Sequence, residues 1–176
     1  MKNIISVYFL LFLSAVFAQS QQNIFESKRA DYKNQYIYAK NEIKKSEVFN
    51  DVANWSRKFK ENIFNSDEYW YGKLVEIRTD RGGTKAAVII RSAVNGINID
   101  YDTDNEFLTI YDDLIIKKGS YLYNQLADLA EGQFVKFKFY FVEGGDRGVF
   151  EKSITEEGSI TEPEFIVKFI SIGPVQ

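Results

Sequence analysis

The chain has 176 residues, 45% of them hydrophobic and 16% aromatic, with a net charge of −3. That supplies apolar surface for one packed domain with an added arm and excludes wholesale disorder. It holds no Cys and no His, which excludes disulfide bracing, Ser-His and Cys-His nucleophile pairs and the commonest transition-metal ligand.

Residues 1–18 read as a secretory signal peptide. Lys2 gives a positive start, and the apolar run over 4–17 is shorter than the roughly 20 residues a comfortable membrane span needs. Val16 and Ala18 precede a cleavage point at Gln19. An uncleaved N-terminal anchor is the competing reading. The expected location is periplasmic or extracellular, with the signal peptide cleaved after Ala18. No later stretch is apolar enough to cross a bilayer, so no transmembrane segment is expected in the mature chain.

Residues 19–66 read as a helical arm. Phe25, Tyr32, Tyr36, Ile37 and Ile43 form an apolar stripe at roughly helical spacing. Val48, Val52, Trp55, Phe59 and Ile63 step by three or four and mark the face of a second stretch. Ser46 and Asn50 are candidate caps for a second helix, so residues 46–64 either continue the first helix or restart after a break near 46–50. The arm carries nine Lys/Arg against six Asp/Glu from Ile24 to Phe64, whereas the rest from Asp67 carries twelve against nineteen. Three arrangements fit such an arm: packing on the rest of the chain, pairing with another copy, or projecting.

Residues 67–176 read as a β-domain. Trp70 to Thr79 is the first strand, with Tyr71, Val75 and Ile77 on one face and Leu74 on the other. Gly72 marks a bulge or a close backbone approach. After the turn Asp80-Arg81-Gly82-Gly83, residues 84–91 form a second strand. A turn over 93–96 leads to a third strand with Ile97, Ile99 and Tyr101 alternating, and a further strand is expected over 107–111. Ser120 then caps a short helix whose Leu122, Leu126 and Leu129 share a face. A turn at Glu131-Gly132 leads into a strand over 133–142. Val135, Phe137, Phe139 and Phe141 lie on one face of it; Lys136, Lys138 and Tyr140 lie on the other. Residues 143–163 read as loop-rich, with room for a short strand over 149–154, and residues 164–172 as the closing strand.

The order strand, strand, strand, helix, strand, strand predicts a mainly β (α+β) domain. Its expected form is a small OB-like Greek-key β-barrel with one inter-strand helix plugging an end, preceded by the helical arm. An SH3-like barrel and an open α+β sheet fit the same strand pattern.

The strand start Trp70-Tyr71-Gly72-Lys73-Leu74, the run from Ser120 through Leu126, Leu129, Glu131 and Gly132 to Phe137, and Ser153-x-Thr155-Glu156-x-Gly158-Ser159 before Pro163-x-Phe165 carry a resemblance. With the Ala39-Lys40-Asn41-Glu42 segment of the arm, they resemble OB-fold-like domains of uncharacterised exported bacterial proteins. The resemblance implies the barrel and export; it brings no activity and no catalytic residues.

Two constellations carry candidate chemistry. Asp100, Asp102, Asp104 and Glu106 set four acids on alternate positions, a spacing that gathers oxygen ligands for a cation such as Ca²⁺. The bland reading is a solvated strand edge, since Asn105 stands where an EF-type loop needs Gly and Tyr111 where it needs Glu. The second is the set Trp70, Lys136, Lys138 and Tyr140, aromatic and cationic side chains that suit ligand binding on a barrel wall. The wider aromatic pool adds Tyr71, Tyr101, Phe137 and Phe139, most of them expected in the core. The acids Glu156, Glu157, Glu162 and Glu164 do not define a facing catalytic pair.

The expectation is therefore an exported, non-enzymatic OB-fold-like binding or interaction module with no catalytic residues and no cofactor. Its expected partner is a protein, peptide or glycan. The acidic β-domain disfavours nucleic acid. The alternative is an envelope-associated structural protein that oligomerises through its helical arm.

Overall fold

The computed structural model describes residues 20–63, 68–103 and 114–175. The expected signal peptide, Asp104, Glu106 and the strand expected over 107–111 lie outside these residues.

Two helices open the described chain. Helix α1 spans Gln21–Ile37, and Ser20 caps it by accepting from the Asn23 N–H at 3.2 Å. Helix α2 spans Glu42–Ile63. Asn41 opens it, its Oδ1 accepting from the Lys44 N–H at 3.0 Å, the role short polar side chains play at a helix start. The break therefore falls at residues 38–41, ahead of the expected 46–50; Ser46 and Asn50 lie inside α2. The two helices pack as a hairpin through Tyr32, Tyr36 and Val52. Ile37 and Ile43, expected in the apolar stripe, stand exposed at its tip.

The strands are β1 (Trp70–Thr79), β2 (Lys85–Val94), β3 (Ile97–Asp102), β4 (Ile116–Lys117), β5 (Phe134–Phe141) and β6 (Glu164–Pro174). Five of them close a barrel in the order β1-β2-β3-β6-β5 and back to β1. Only β3 and β6 run parallel; the other pairs are antiparallel. This is the OB-like barrel predicted by the strand order. Strand β4 adds to the outer end of β2.

Local chemistry explains the connections. The β2–β3 hairpin turns on Asn95 (φ 49°) and Gly96 (φ 79°), the two successive left-handed residues a two-residue hairpin requires. Asp80 organises the β1–β2 turn, its carboxylate accepting from the Thr84 N–H at 2.6 Å and the Lys85 N–H at 3.1 Å. At Gly72 the close-approach reading holds: a Cβ there would stand 2.8 Å from the Arg91 carbonyl oxygen. The irregularity in β1 comes later, between Leu74 and Glu76. Ahead of it Trp70 and Leu74 face inward and Tyr71 faces out; beyond it the shift brings Ile77, opposite the buried Val88, onto the inward face, where it packs partly on the core instead of sharing the face of Tyr71.

The barrel interior is aromatic. Val135, Phe137, Phe139 and Phe141 of β5 are buried, as their alternation predicts. Trp70 stands edge-on to Phe139 and Tyr101, with ring centroids at 4.9 and 5.7 Å.

Each end of the barrel is closed by a helix. Helix α3 (Tyr121–Ala127), capped by Ser120, buries Leu126 and rests Leu122 and Tyr123 on the core, and Leu129 just beyond its end packs there too. It closes the end where β5 begins, and Gln125 Oε1 accepts from the Ile172 N–H at 3.2 Å. At the other end, α1 inserts Phe25, which touches Trp70, Phe141 and Phe165 with ring centroids 5.1–5.7 Å away. Phe59 of α2 stacks behind it at 5.1 Å. The arm thus shares one apolar core with the barrel across the expected boundary at residues 66–67.

The excursion between β5 and β6 folds onto the arm. It holds a 3-10 turn (Gly145–Arg147) and a short helix α4 (Glu156–Thr161), where a loop was expected. Thr155 caps α4, accepting from the Gly158 N–H at 3.0 Å, and Ile160 packs with Tyr32, Tyr36 and Val52.

Candidate functional site

The outer face of β1 and β5 gathers the exposed aromatic and cationic side chains. Cross-strand register sets Tyr71 opposite Lys136 and Lys73 opposite Phe134. On the far side of β5, Tyr140 lies opposite Lys168. Lys138 Nζ stands over the Tyr69 ring at 4.5 Å, with Lys136 Nζ at 5.3 Å, so two ammonium groups share one aromatic ring. Tyr71, Phe134 and Tyr140 are 50%, 67% and 47% exposed. Lys73, Lys136 and Lys138 make no ion pair among the described residues.

This face runs into a cleft of about 580 Å³ between the first turns of α1 and the seam of β1 and β2. The cleft lies beyond Lys73 and Arg91, the last β1–β2 partners at that end. Tyr71 and Phe134 wall it, Lys73 and Arg91 stand at its rim, and Gln22, Glu26 and Ser92 line its depth. Gln22 acts as a side-chain strand partner. Its amide donates to the Tyr71 carbonyl at 2.7 Å and accepts from the Tyr71 N–H at 2.8 Å. That satisfies backbone groups which β2 no longer reaches.

Glu26 is only 1% exposed. Its carboxylate accepts from Gln22 Nε2 at 2.9 Å, Ser92 Oγ at 2.8 Å and the Tyr101 hydroxyl at 3.0 Å. Burial pushes its pKa above the ordinary carboxylate value, and the three hydrogen bonds pull against that shift. Burial, reinforced by the Glu26 charge, also raises the Tyr101 phenol well above its usual value.

No family model, curated protein or solved structure matches this chain.

The structure sorts the expected site residues. Lys136, Lys138 and Tyr140 do share the outer face of β5, on the parity predicted for them. Trp70 does not join them. At 1% exposure its ring is part of the barrel core, because β1 turns Tyr71 outward and Trp70 inward. Of the four acids, the two described ones are engaged. Asp100 takes a bidentate bond from Arg91, at 2.6 and 2.7 Å. Asp102 has a side chain 2% exposed and pairs with Lys152 Nζ at 2.7 Å. Asp102 is thus a buried counter-ion to the β5–β6 excursion and no part of a solvated edge. No group of three or more His, Cys, Asp or Glu side chains suited to a metal comes together among the described residues.

Sequence reasoning left out Tyr69, Lys73, Phe134 and the Gln22-Glu26-Ser92 floor. Phe134 has the parity of Lys136, and alternation alone assigns it to that face. The floor draws on α1 and β2, 66 residues apart at Glu26 and Ser92, and no local pattern points to it.

Proposed function

We propose that the protein is an exported, non-enzymatic binding module that engages an extended anionic ligand on the outer face of β1 and β5. The observation that carries this reading is the Lys73-Lys136-Lys138 set interleaved with Tyr69, Tyr71, Phe134 and Tyr140. Cations beside exposed rings, on the wall of an otherwise acidic domain, form a localised attractive surface. Export rests on the N-terminal segment. The resemblance to domains of exported bacterial proteins accords with it, and fold alone assigns no activity.

The test is a titration of isotope-labelled protein followed by NMR, using acidic and neutral oligosaccharides and acidic peptides. Amide shifts concentrated on β1, β5 and the start of α1 are expected. Shifts confined to β3, α2 or the 143–163 excursion overturn the reading. Fractionation of expressing cells tests export: the mature chain is expected outside the cytoplasm with Gln19 at its N-terminus.

A second reading, a structural protein that oligomerises through its arm, rests on one surface. The hairpin tip exposes Ile37, Tyr38 and Ile43 at 52%, 82% and 72%. Deleting the arm cannot test it, because Phe25 and Phe59 belong to the barrel core. Sedimentation of an I37S/I43S variant does: an oligomer of the parent chain that this variant dissociates favours the second reading.

A further inference from the structure

We infer that the ligand is an acidic polysaccharide built of uronate residues, lying along the β1–β5 face with one sugar ring seated in the cleft. This rests on the binding role proposed for that face.

Four features narrow the chemistry. First, outward side chains on a strand recur about every 6.8 Å, so Phe134, Lys136, Lys138 and Tyr140 line a track of about 20 Å. A track with rings at its ends and ammonium groups between suits a linear chain carrying both flat apolar faces and regularly spaced negative charges. Second, the cations of the track are all lysines. Arg91, the arginine at the rim, is already held by Asp100 in a two-point bond. Planar two-point recognition of a carboxylate or a phosphate is the work of arginine, whereas lysine acts as a point charge, so the track reads the spacing of charges along a chain. Third, Gln22, Glu26 and Ser92 in the depth of the cleft form an amide-carboxylate-hydroxyl lining. These groups are already bonded to one another and to Tyr71, so a sugar ring is held there by its Tyr71 and Phe134 walls, with its carboxylate turned to Lys73 at the rim and away from Glu26. Fourth, the cleft volume of about 580 Å³ falls in the range of small-ligand sites, roughly 300–1,000 Å³. Its Tyr71 and Phe134 walls offer the flat surfaces on which the C–H face of a pyranose packs.

An acidic peptide has the charge without the ring. A neutral glycan has the ring without the charge. A single-stranded nucleic acid has both, but replaces hydroxyl-rich rings with phosphates and bases. The four can be separated directly.

The experiment measures binding of the protein to polygalacturonate, dextran, polyglutamate and a twenty-residue oligothymidylate by calorimetry at low salt. Polygalacturonate is expected to bind more tightly than the other three, and binding should weaken as salt rises. The K136Q/K138Q variant should bind polygalacturonate about tenfold or more weakly, as loss of charge contacts predicts. The K136R/K138R variant should keep most of the affinity. Y71A and F134A should each weaken it as well, and because these side chains are exposed their melting temperatures should stay near that of the parent. Absence of polygalacturonate binding overturns the proposal, as does equal or tighter binding of dextran, or of oligothymidylate or polyglutamate. If one of the last two binds and K136Q/K138Q abolishes it, the ligand class falls and the binding face stands. If polygalacturonate binds and none of the face variants weakens it, the binding face itself falls.

Discussion

The two ends of the barrel are closed by different physical means. At the α3 end the plug is local and apolar. A seven-residue helix between β4 and β5 buries Leu126 and leans Leu122 on the core, with Leu129 following just past its end. At the α1 end the plug comes from outside the barrel and mixes apolar and ionisable groups. Phe25 enters the aromatic core, and the adjacent Glu26, with Gln22 and Arg29 about one turn to either side, is buried as well. Arg29 Nη2 donates to Glu151 Oε1 at 2.8 Å and also to the Ser159 carbonyl, while its guanidinium lies 5.2 Å from the Phe165 ring centroid. Burial pushes the Glu151 carboxyl up in pKa, with Arg29 and Arg147 pulling it back. Closure by a local apolar helix tolerates changes of charge and pH. Closure by an imported helix with buried charges ties together four parts of the chain: the arm, the β1–β2 seam, β3 and the β5–β6 excursion.

Breaking the α1 end should therefore cost most. R29A leaves Glu151 as an uncompensated buried charge, a change that typically costs about 3–5 kcal/mol. F25A opens a cavity among Trp70, Phe141 and Phe165, again worth about 3–5 kcal/mol. Urea denaturation reads both. A loss below about 1 kcal/mol for both would show the arm to be a dispensable cover. L126A at the α3 end should cost less, about 2–3 kcal/mol, since α3 is short and its neighbours are only half buried. Its cost should not change between pH 5 and pH 8, whereas that of R29A should. S120A removes the cap that accepts from the Tyr123 N–H at 3.2 Å and should cost about 1 kcal/mol.

The same contrast explains what the sequence discloses. The α3 end is local, so Ser120, the leucine spacing and the alternation of β5 announce it within 22 residues of chain. From that order alone the OB-like barrel follows. The α1 end is non-local. Nothing in the periodicity of α1 says that Phe25 belongs to the barrel, because a helical stripe specifies a face and not what covers it. The hairpin break at residues 38–41 lacks Gly or Pro, and Asn41 competes with Ser46 and Asn50 as a cap, so the turn is weakly marked. Helix α4 is six residues long and contains Gly158, which makes it read as loop. The candidate site divides in the same way. Lys136, Lys138 and Tyr140 are legible from the parity of one strand. Tyr71 and Lys73 join them only through the register of β1 on β5, and the β1 irregularity after Leu74 carries Val75 away from the phase it shares with Tyr71 by simple alternation.

The finest test of the contrast is the pH dependence of the α1 end. Burial raises the Glu26 pKa above its ordinary 4.5, so the folded state holds this proton more tightly than the unfolded chain does. The stability linked to Glu26 is then fully present below about pH 4.5 and is lost as pH rises through the raised folded value. A single group changes stability by at most about 1.4 kcal/mol per pH unit across that window. E26Q removes the titration and keeps a side chain of the same shape, while the hydroxyls of Ser92 and Tyr101 can turn to accept from its amide. Denaturation midpoints measured from pH 4 to pH 8 should fall for the parent chain relative to E26Q as pH rises through the raised value. The difference between L126A and its own E26Q double variant should follow the same curve, because the α3 end contributes no titrating group to it. A parent chain that instead gains stability over E26Q with rising pH would mean that the bonds from Gln22, Ser92 and Tyr101 outweigh burial, and that the α1 end is held by a stabilised carboxylate.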